Sequence, residues 1–318
     1  MKILIPDKVN KKATEILEKA GFEVENKPGI SADQLIDICK DADAMIVRSG
    51  IKITPEVIDA ASKLKLVVRA GVGYDNIDAK HEEQKGVIVE NTPFGNTNAA
   101  AEHTLTLLMM LAKHVIHAHH ELKSGVWDRK KYKSIELKDK TLGIIGLGNI
   151  GKKIARVANA LEMTVVGSDP FVTAEEAEKI KVKKVELDEL YEKSDFITVH
   201  VPKTAKTAGM IDEKAFQKMK EGVRILNVAR GGIIKEKDLE IALVSGKVAA
   251  AALDVYEQEP PVCHSLLAKD QVICTPHLGA STHEAQVNVA VDAAEQIIEA
   301  LKNNKILNCV NGVEKIKE

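Results

Sequence analysis

The run Gly146-Leu147-Gly148-Asn149-Ile150-Gly151 follows the apolar stretch Leu142-Gly143-Ile144-Ile145 and leads into Ile150, Ile154, Ala155, Val157, Ala158 and Leu161 at helical spacing. In a strand, turn and helix context this spacing suits a pyrophosphate. The first glycine permits the tight turn, the second lets backbone approach the anion, and the third lets helix and strand pack closely. The next apolar run ends Val165-Val166-Gly167-Ser168-Asp169. It puts a carboxylate about 20 residues beyond the loop, where it would accept hydrogen bonds from an adenosine ribose. The same carboxylate repels the additional phosphate of NADP, so the pattern predicts NAD.

Three later apolar runs end in polar residues. Arg224 to Ala229 is followed by Arg230-Gly231-Gly232, Ala249 to Leu253 by Asp254, Glu257 and Glu259-Pro260, and Val272 to Thr275 by Pro276-His277. Ligands of open α/β sheets sit beyond the carboxyl ends of the strands, so an arginine, an acid and a histidine would share one edge with the glycine loop. Redox chemistry at a hydroxy acid needs such a set. A cation meets the carboxylate, an acid/base takes the hydroxyl proton, and a carboxylate orients that base. His277 suits the base because histidine titrates near neutral pH. By spacing alone, Glu257 and Glu259 are equal candidates for its partner. A second cluster, His114, His117, His119 and His120, has metal-like spacing, but only His114 and His117 share a helical face. It is read as a solvated helix surface, and no metal is expected.

These residues need elements to hold them. The first hundred residues alternate short apolar runs (Lys2 to Ile5, Ala44 to Val47, Leu66 to Val68, Val87 to Val89) with helical patterns. Ser31 with Gln34 forms a capping-box signal, and Thr54-Pro55 places proline at a first helical position. Residues 98–124 read as one long helix, a connector. A second βα series follows, with strands at 142–145, 164–166, 196–199, 224–228, 249–253 and 272–274. Ser281 with Glu284 predicts the cap of a helix of about twenty residues, and Ile306 to Asn308 a last strand. Alternating βα units imply parallel sheets covered on both faces, and 318 residues suit two such domains.

Composition narrows the partners. Apolar residues make up 45% of the chain and charged residues 29%, at a net charge of −2, which excludes wholesale disorder and any broad basic field for nucleic acid. Aromatic residues at 3% are too few for a base-stacking platform. The start is too quickly polar for a signal peptide, and no apolar run approaches the roughly 18 residues that span a bilayer. Four unpaired-looking cysteines suit a reducing compartment, so a cytoplasmic protein without a membrane partner is expected.

Five blocks in order resemble the D-isomer-specific 2-hydroxyacid dehydrogenase family over nearly the whole chain. They are Arg69 to Asn76 (RAGVGYDN), Gly146 to Gly151, Asn227 to Gly232 (NVARGG), Ala252 to Tyr256 with Glu259-Pro260, and Pro276 to Thr282 (PHLGAST). The resemblance implies two doubly wound α/β domains. One is a Rossmann NAD-binding domain over 98–282, the other a smaller flavodoxin-like substrate domain over 1–97 plus 283–318. It also implies Arg230 on the substrate carboxylate or carbonyl, Glu259 rather than Glu257 pairing with His277, and Asp254 facing the nicotinamide carboxamide. Val72, Asn149, Ile150, Val201, Val228 and Ala280 would line the NAD site, and the backbone of Ala70, Gly71, Val72 and Gly73 would hold the substrate carboxylate. Such proteins resemble homodimers joined through the cofactor domains.

Within the family the blocks are most like members that oxidise D-3-phosphoglycerate at the entry to serine synthesis, for which Arg48 and Arg129 would supply phosphate contacts. On this resemblance the chain ends too soon for the regulatory domains many such proteins carry, and serine feedback is not expected. The alternatives are a reductase of glyoxylate, hydroxypyruvate or another small 2-keto acid, and, from a different class, an NAD(H)-sensing corepressor.

Overall fold

The computed structural model describes residues 1–316, which divide into two compact units, residues 1–97 with 281–316 and residues 98–280. In the first unit five parallel strands, β1 (Lys2–Ile5), β2 (Glu23–Asn26), β3 (Ala44–Val47), β4 (Leu66–Arg69) and β5 (Ile88–Asn91), lie in the order β2-β1-β3-β4-β5. This is the flavodoxin-like order. Alternation along the strands sorts side chains to two faces. Ile3, Ile5, Ile46 and Val68 pack with Ala13, Leu17, Val289, Ala293 and Ile297, whereas Leu4, Met45, Val47 and Val67 pack with Leu35, Val57 and Ile58. The helix His283–Asn303 thus supplies one cover of a sheet built from the chain's first hundred residues.

The second unit has seven parallel strands: β6 (Thr141–Ile145), β7 (Thr164–Ser168), β8 (Lys183–Lys184), β9 (Phe196–Val199), β10 (Val223–Asn227), β11 (Val248–Leu253) and β12 (Val272–Cys274). Their order, β12-β11-β10-β9-β6-β7-β8, is the Rossmann order with one added strand. It reverses between β6 and β9, where Ile145 pairs with Val199. Among the described residues no helix is long and apolar enough to cross a membrane.

Four sequence expectations are corrected. Strands β2 (EVEN) and β8 (KK) were not predicted because edge strands need no apolar face. The long helix is two, Thr97–Lys113 and Val115–Lys123, broken where His114 adopts φ 51°. The last helix is capped by Thr282, whose hydroxyl accepts from Ala285 N–H at 3.1 Å, rather than by Ser281. Finally, Ile306 to Asn308 forms no strand. Leu307 and Asn308 donate their N–H groups to Glu90 Oε1 at 2.6 and 2.8 Å, and Cys309 makes a single antiparallel bridge to Glu90.

The helix Ala79–Lys85 carries a feature with a measurable consequence. Glu82 is completely buried and neither of its carboxylate oxygens has a hydrogen-bond partner. Burial, and then the like charge of Asp78, hold its carboxyl well above the usual carboxylate range. An acid whose folded pKa is raised keeps its full stability below its unfolded pKa and loses it as pH rises toward the folded value. Urea unfolding of wild type and Glu82→Gln should therefore agree near the ordinary glutamate pKa. Above it the wild type should weaken by about 1.4 kcal/mol per pH unit relative to the variant. Curves that stay parallel from acid to neutral pH would refute the buried-acid assignment.

Candidate active site

The glycine loop is fixed by contacts at each end. Gly146 takes φ 97°, where an L side chain is strained, and a Cβ there would meet the His200 carbonyl oxygen at 2.5 Å. A Cβ on Gly151 would lie 2.1 Å from the Gly146 carbonyl oxygen, so helix Asn149–Ala160 packs directly on the turn it follows. A Cβ on Gly148 would meet nothing within 4 Å. As N-cap, Gly148 has no side chain to compete for the N–H groups of the first turn. The loop thus has a close-packed base and an open outer face, which fits a dinucleotide pyrophosphate. Asp169, at the end of β7, accepts from Leu147 N–H and Phe171 N–H, both at 2.8 Å, and so binds the loop to the neighbouring strand.

Three further loops meet along the same edge. Asn227 organises the first: its Oδ1 accepts from Ala229 N–H at 3.1 Å and its Nδ2 donates to the Arg230 carbonyl at 2.9 Å. Arg230 Nη1 in turn donates to the Ala229 carbonyl at 2.6 Å. Gly231 is pressed onto the loop after β11, where a Cβ would sit 1.6 Å from the Tyr256 carbonyl oxygen. The turn after β12 packs on the first loop too, with a Cβ on Gly279 falling 2.9 Å from Val228 Cγ1.

The two candidate acids separate cleanly. Glu259 Oε2 lies 2.7 Å from His277 Nδ1, while its Oε1 accepts from Tyr256 N–H at 3.2 Å. Glu257 faces elsewhere: its Oε1 accepts from Glu236 N–H at 2.9 Å, and its own N–H donates to Glu236 Oε1 at 2.5 Å. With Nδ1 facing a carboxylate, that nitrogen carries the hydrogen and Nε2 is left as the acceptor of the neutral ring. The His277 and Glu259 side chains are 45% and 39% exposed, so the pair is open to a ligand.

Asp254 is completely buried. Its Oδ1 accepts from Thr275 Oγ1 at 2.6 Å and from Leu278 N–H at 2.7 Å, and its Oδ2 accepts from Gly279 N–H at 2.8 Å. In this structure its carboxylate holds the turn that follows His277. His200, at the end of β9, bonds the Thr198 hydroxyl at 2.8 Å, and burial pushes its pKa down to about 3. It stays neutral at working pH and is unsuited to the role of His277.

The carboxyl edge of the first unit's sheet is also polar. Asp7, after β1, accepts from Lys8, Arg48 and Gly50 N–H groups at 2.7 to 3.0 Å, which fixes the loop that carries Arg48 after β3. Arg48 Nη1 reaches the Lys8 carbonyl at 3.3 Å. After β4, Gly71 has φ 144°, and a Cβ there would fall 1.5 Å from Arg69 Nη1. Asn91 Nδ2 donates to the Val72 carbonyl at 2.6 Å, so the Ala70 to Gly73 segment is held from β5.

Residues 105–279 match the NAD binding domain of D-isomer specific 2-hydroxyacid dehydrogenases. The chain is similar to the D-3-phosphoglycerate dehydrogenase of Archaeoglobus fulgidus, at 48% identity over 312 residues, covering 98% of this chain and 59% of that protein. It is 46% identical over 312 residues to the D-3-phosphoglycerate dehydrogenase of Methanocaldococcus jannaschii, with the same coverage of each. A solved glyoxylate reductase from Paecilomyes thermophila superposes with a TM-score of 0.91 at 30% identity, over 98% of both chains. The chain belongs to the D-isomer specific 2-hydroxyacid dehydrogenase family. It spans a little under three fifths of the length of the curated relatives described.

Within the family frame the remaining predicted residues fall as follows. Asn149 and Ile150 open the helix after the glycine loop, Val201 Cγ1 lies 2.9 Å from the Cβ position of Gly146, and Ala280 follows the Asp254-bound turn. Val72 belongs to the first unit, and Arg129 stands on an exposed arm beside Trp127, which is 76% exposed. Sequence reasoning missed Asn227, Thr275, Tyr256 and His103. Thr275, Tyr256 and His103 act through bonds between segments distant in the chain, whereas Asn227 folds its own loop, and no spacing signal announces any of them.

The close contact at Gly151 makes a direct test. Gly151→Ala should weaken NADH binding at least tenfold in a fluorescence titration while the far-UV circular dichroism stays native, because the added methyl must displace the loop. Unchanged NADH affinity would mean that the turn is not where the cofactor lies.

Proposed function

We propose that this protein oxidises D-3-phosphoglycerate to 3-phosphohydroxypyruvate with NAD, the entry reaction of serine synthesis. The observation that carries the reading is the 2.7 Å contact of His277 Nδ1 with Glu259, on the same edge as the glycine loop. The similarity to D-3-phosphoglycerate dehydrogenases supports the choice of substrate.

The loop Gly146 to Gly151 with Asp169 would hold NAD, which would supply the acceptor for the hydride from C2 of the substrate. The chain's own residues manage the proton and the charges. His277 Nε2 takes the hydroxyl proton, and the imidazolium that forms is held by the Glu259 carboxylate at Nδ1. Arg230 binds the substrate carboxylate or the developing carbonyl oxygen, and its loop is kept in shape by Asn227. Backbone N–H groups from Ala70 to Gly73 take the substrate carboxylate. Arg48 and Arg129 take the phosphate, which a guanidinium can meet with two parallel hydrogen bonds. Asp169 meets the adenosine ribose and disfavours a phosphate there.

A second reading, reduction of a small unphosphorylated 2-keto acid, is favoured by the likeness to the glyoxylate reductase. The two differ at the phosphate. NADH absorbance with 3-phosphohydroxypyruvate, hydroxypyruvate, glyoxylate and pyruvate should give the highest kcat/KM for the phosphorylated acid. Arg48→Ala should lower that value more than tenfold, or about 1.4 kcal/mol of transition-state binding, and the values for the other acids far less. His277→Ala should remove roughly 10²- to 10⁴-fold of kcat for all of them. A preference for an unphosphorylated acid that Arg48→Ala leaves unchanged would move the assignment to the second reading.

The working protein is proposed to be a cytoplasmic homodimer joined through its second unit. Val115, Ile116, Leu122, Val126 and Trp127 expose between 40% and 76% of their surface along the helix Val115–Lys123 and the arm after it. Such an apolar strip is characteristic of an interface. Trp127→Ala should raise the dimer dissociation constant at least tenfold in sedimentation equilibrium, and a wild-type monomer at micromolar concentration would refute the dimer.

A further inference from the structure

His103 lies on the helix Thr97–Lys113, and neither the glycine loop nor the proton-transfer pair uses it. Its Nε2 is 3.1 Å from Thr275 Oγ1 and 3.3 Å from Asp254 Oδ1, and its side chain is 19% exposed. Thr275 spends its hydroxyl hydrogen on Asp254 Oδ1, at 2.6 Å. Both atoms that face His103 Nε2 are therefore acceptors, and Nε2 carries a hydrogen.

Asp254 has no exposed surface, and its other partners are the N–H groups of Leu278 and Gly279. Those two residues directly follow His277, whose φ of 55° lies in a region unfavourable for a side chain with a Cβ. A strained residue keeps such a conformation only where its surroundings over-determine it. The surroundings here are these bonds together with His277 N–H donating to the Asp254 and Thr275 carbonyls at 2.9 and 3.1 Å. A buried carboxylate needs donors on all sides, and His103 is the only imidazole or cationic side chain among the partners described for it.

We propose that His103 is a positioning residue for the proton-transferring His277, acting through Thr275 and the buried Asp254 carboxylate to fix the turn on which His277 stands. The proposal rests on the dehydrogenase reading above, in which His277 moves the proton. Removing the Nε2–H leaves Asp254 Oδ1 short of a donor, so the turn relaxes and the imidazole loses its alignment. A displacement of about 1 Å at a reacting group can cost roughly a hundredfold in rate. The loop that binds the dinucleotide, held by Asp169, is not part of this chain of bonds.

The test uses the full chain with His103→Leu, His103→Gln and His277→Ala, alone and combined. With 3-phosphohydroxypyruvate and NADH, His103→Leu should lower kcat at least tenfold while KM for the 2-keto acid moves less than twofold. His103→Gln, whose amide can restore the donor, should recover kcat to within threefold of wild type. In the His277→Ala background, His103→Leu should add less than a twofold loss, since a residue acting through His277 has nothing left to position. The downfield proton resonance of His277 Nδ1–H against Glu259 should broaden in His103→Leu and return in His103→Gln, a readout that requires no turnover.

An unchanged kcat and resonance in His103→Leu would overturn the proposal. So would a loss that glutamine does not rescue, or one that persists undiminished without His277. Absence of turnover in the wild type with every 2-keto acid would instead sink the dehydrogenase reading, leaving the resonance to decide the contact.

Discussion

The space between Gly151 and the Gly146 carbonyl oxygen admits no atom heavier than hydrogen, and the shape of the glycine loop depends on that approach. It sets the first turn of helix Asn149–Ala160 against the end of β6, so that the positive end of the helix dipole points past the sheet. Gly146 also packs against the His200 carbonyl after β9, and Leu147 is tied to Asp169 after β7. Three strand ends are thereby locked to one turn at the point where strand order reverses. A larger residue at either glycine would break the approach, and the loop would lose its open face with it.

The same economy of space shapes the other loops. Gly231 lies against the Tyr256 backbone and Gly279 against the Val228 side chain, so the segments bearing Arg230, Glu259 and His277 pack closely together. Within that packing, two glutamates separated by one residue do different work. Glu257 and Glu236 exchange bonds, each accepting from the other's N–H, and burial followed by the Glu257 charge raises the Glu236 pKa. That pair seals the loop onto the start of the helix Glu236–Val244. Glu259 is anchored through one oxygen to Tyr256 N–H and gives the other to His277, which fixes both the tautomer and the direction of the ring.

Most of the strands and the glycine loop were legible because they carry local signals: apolar runs of strand length, glycines at fixed offsets, and an acid at the next strand end. Ser31 with Gln34 forms the reciprocal capping box its spacing predicts. What was not legible depends on contacts. The polar strands β2 and β8 exist because an adjacent strand pairs with them. The break at His114 leaves no mark in helix propensity, since histidine is tolerated on both sides of it. Ile306 to Asn308 has the residue types of a strand, but a glutamate side chain takes the backbone bonds that a partner strand would need. Choosing between Glu257 and Glu259 from residues alone was impossible for the same reason: distance, not spacing, separates them.

Three histidines near one sheet edge show how far environment outweighs residue type. His200 is desolvated beside the Thr198 hydroxyl, so it stays neutral and structural. His277 is half-exposed with a carboxylate at Nδ1, which leaves Nε2 open and gives a protonated ring a counter-charge. His103 faces a carboxylate as well, but one that is buried and already holds two backbone N–H groups, so its imidazole serves a turn and not a substrate. The difference lies in what the carboxylate does next. Glu259 ends its chain of bonds at a histidine open to a ligand, whereas Asp254 passes its own on to the backbone beneath that histidine. In the role proposed for it, a histidine held at φ 55° needs both, one to set its charge and the other to set its place.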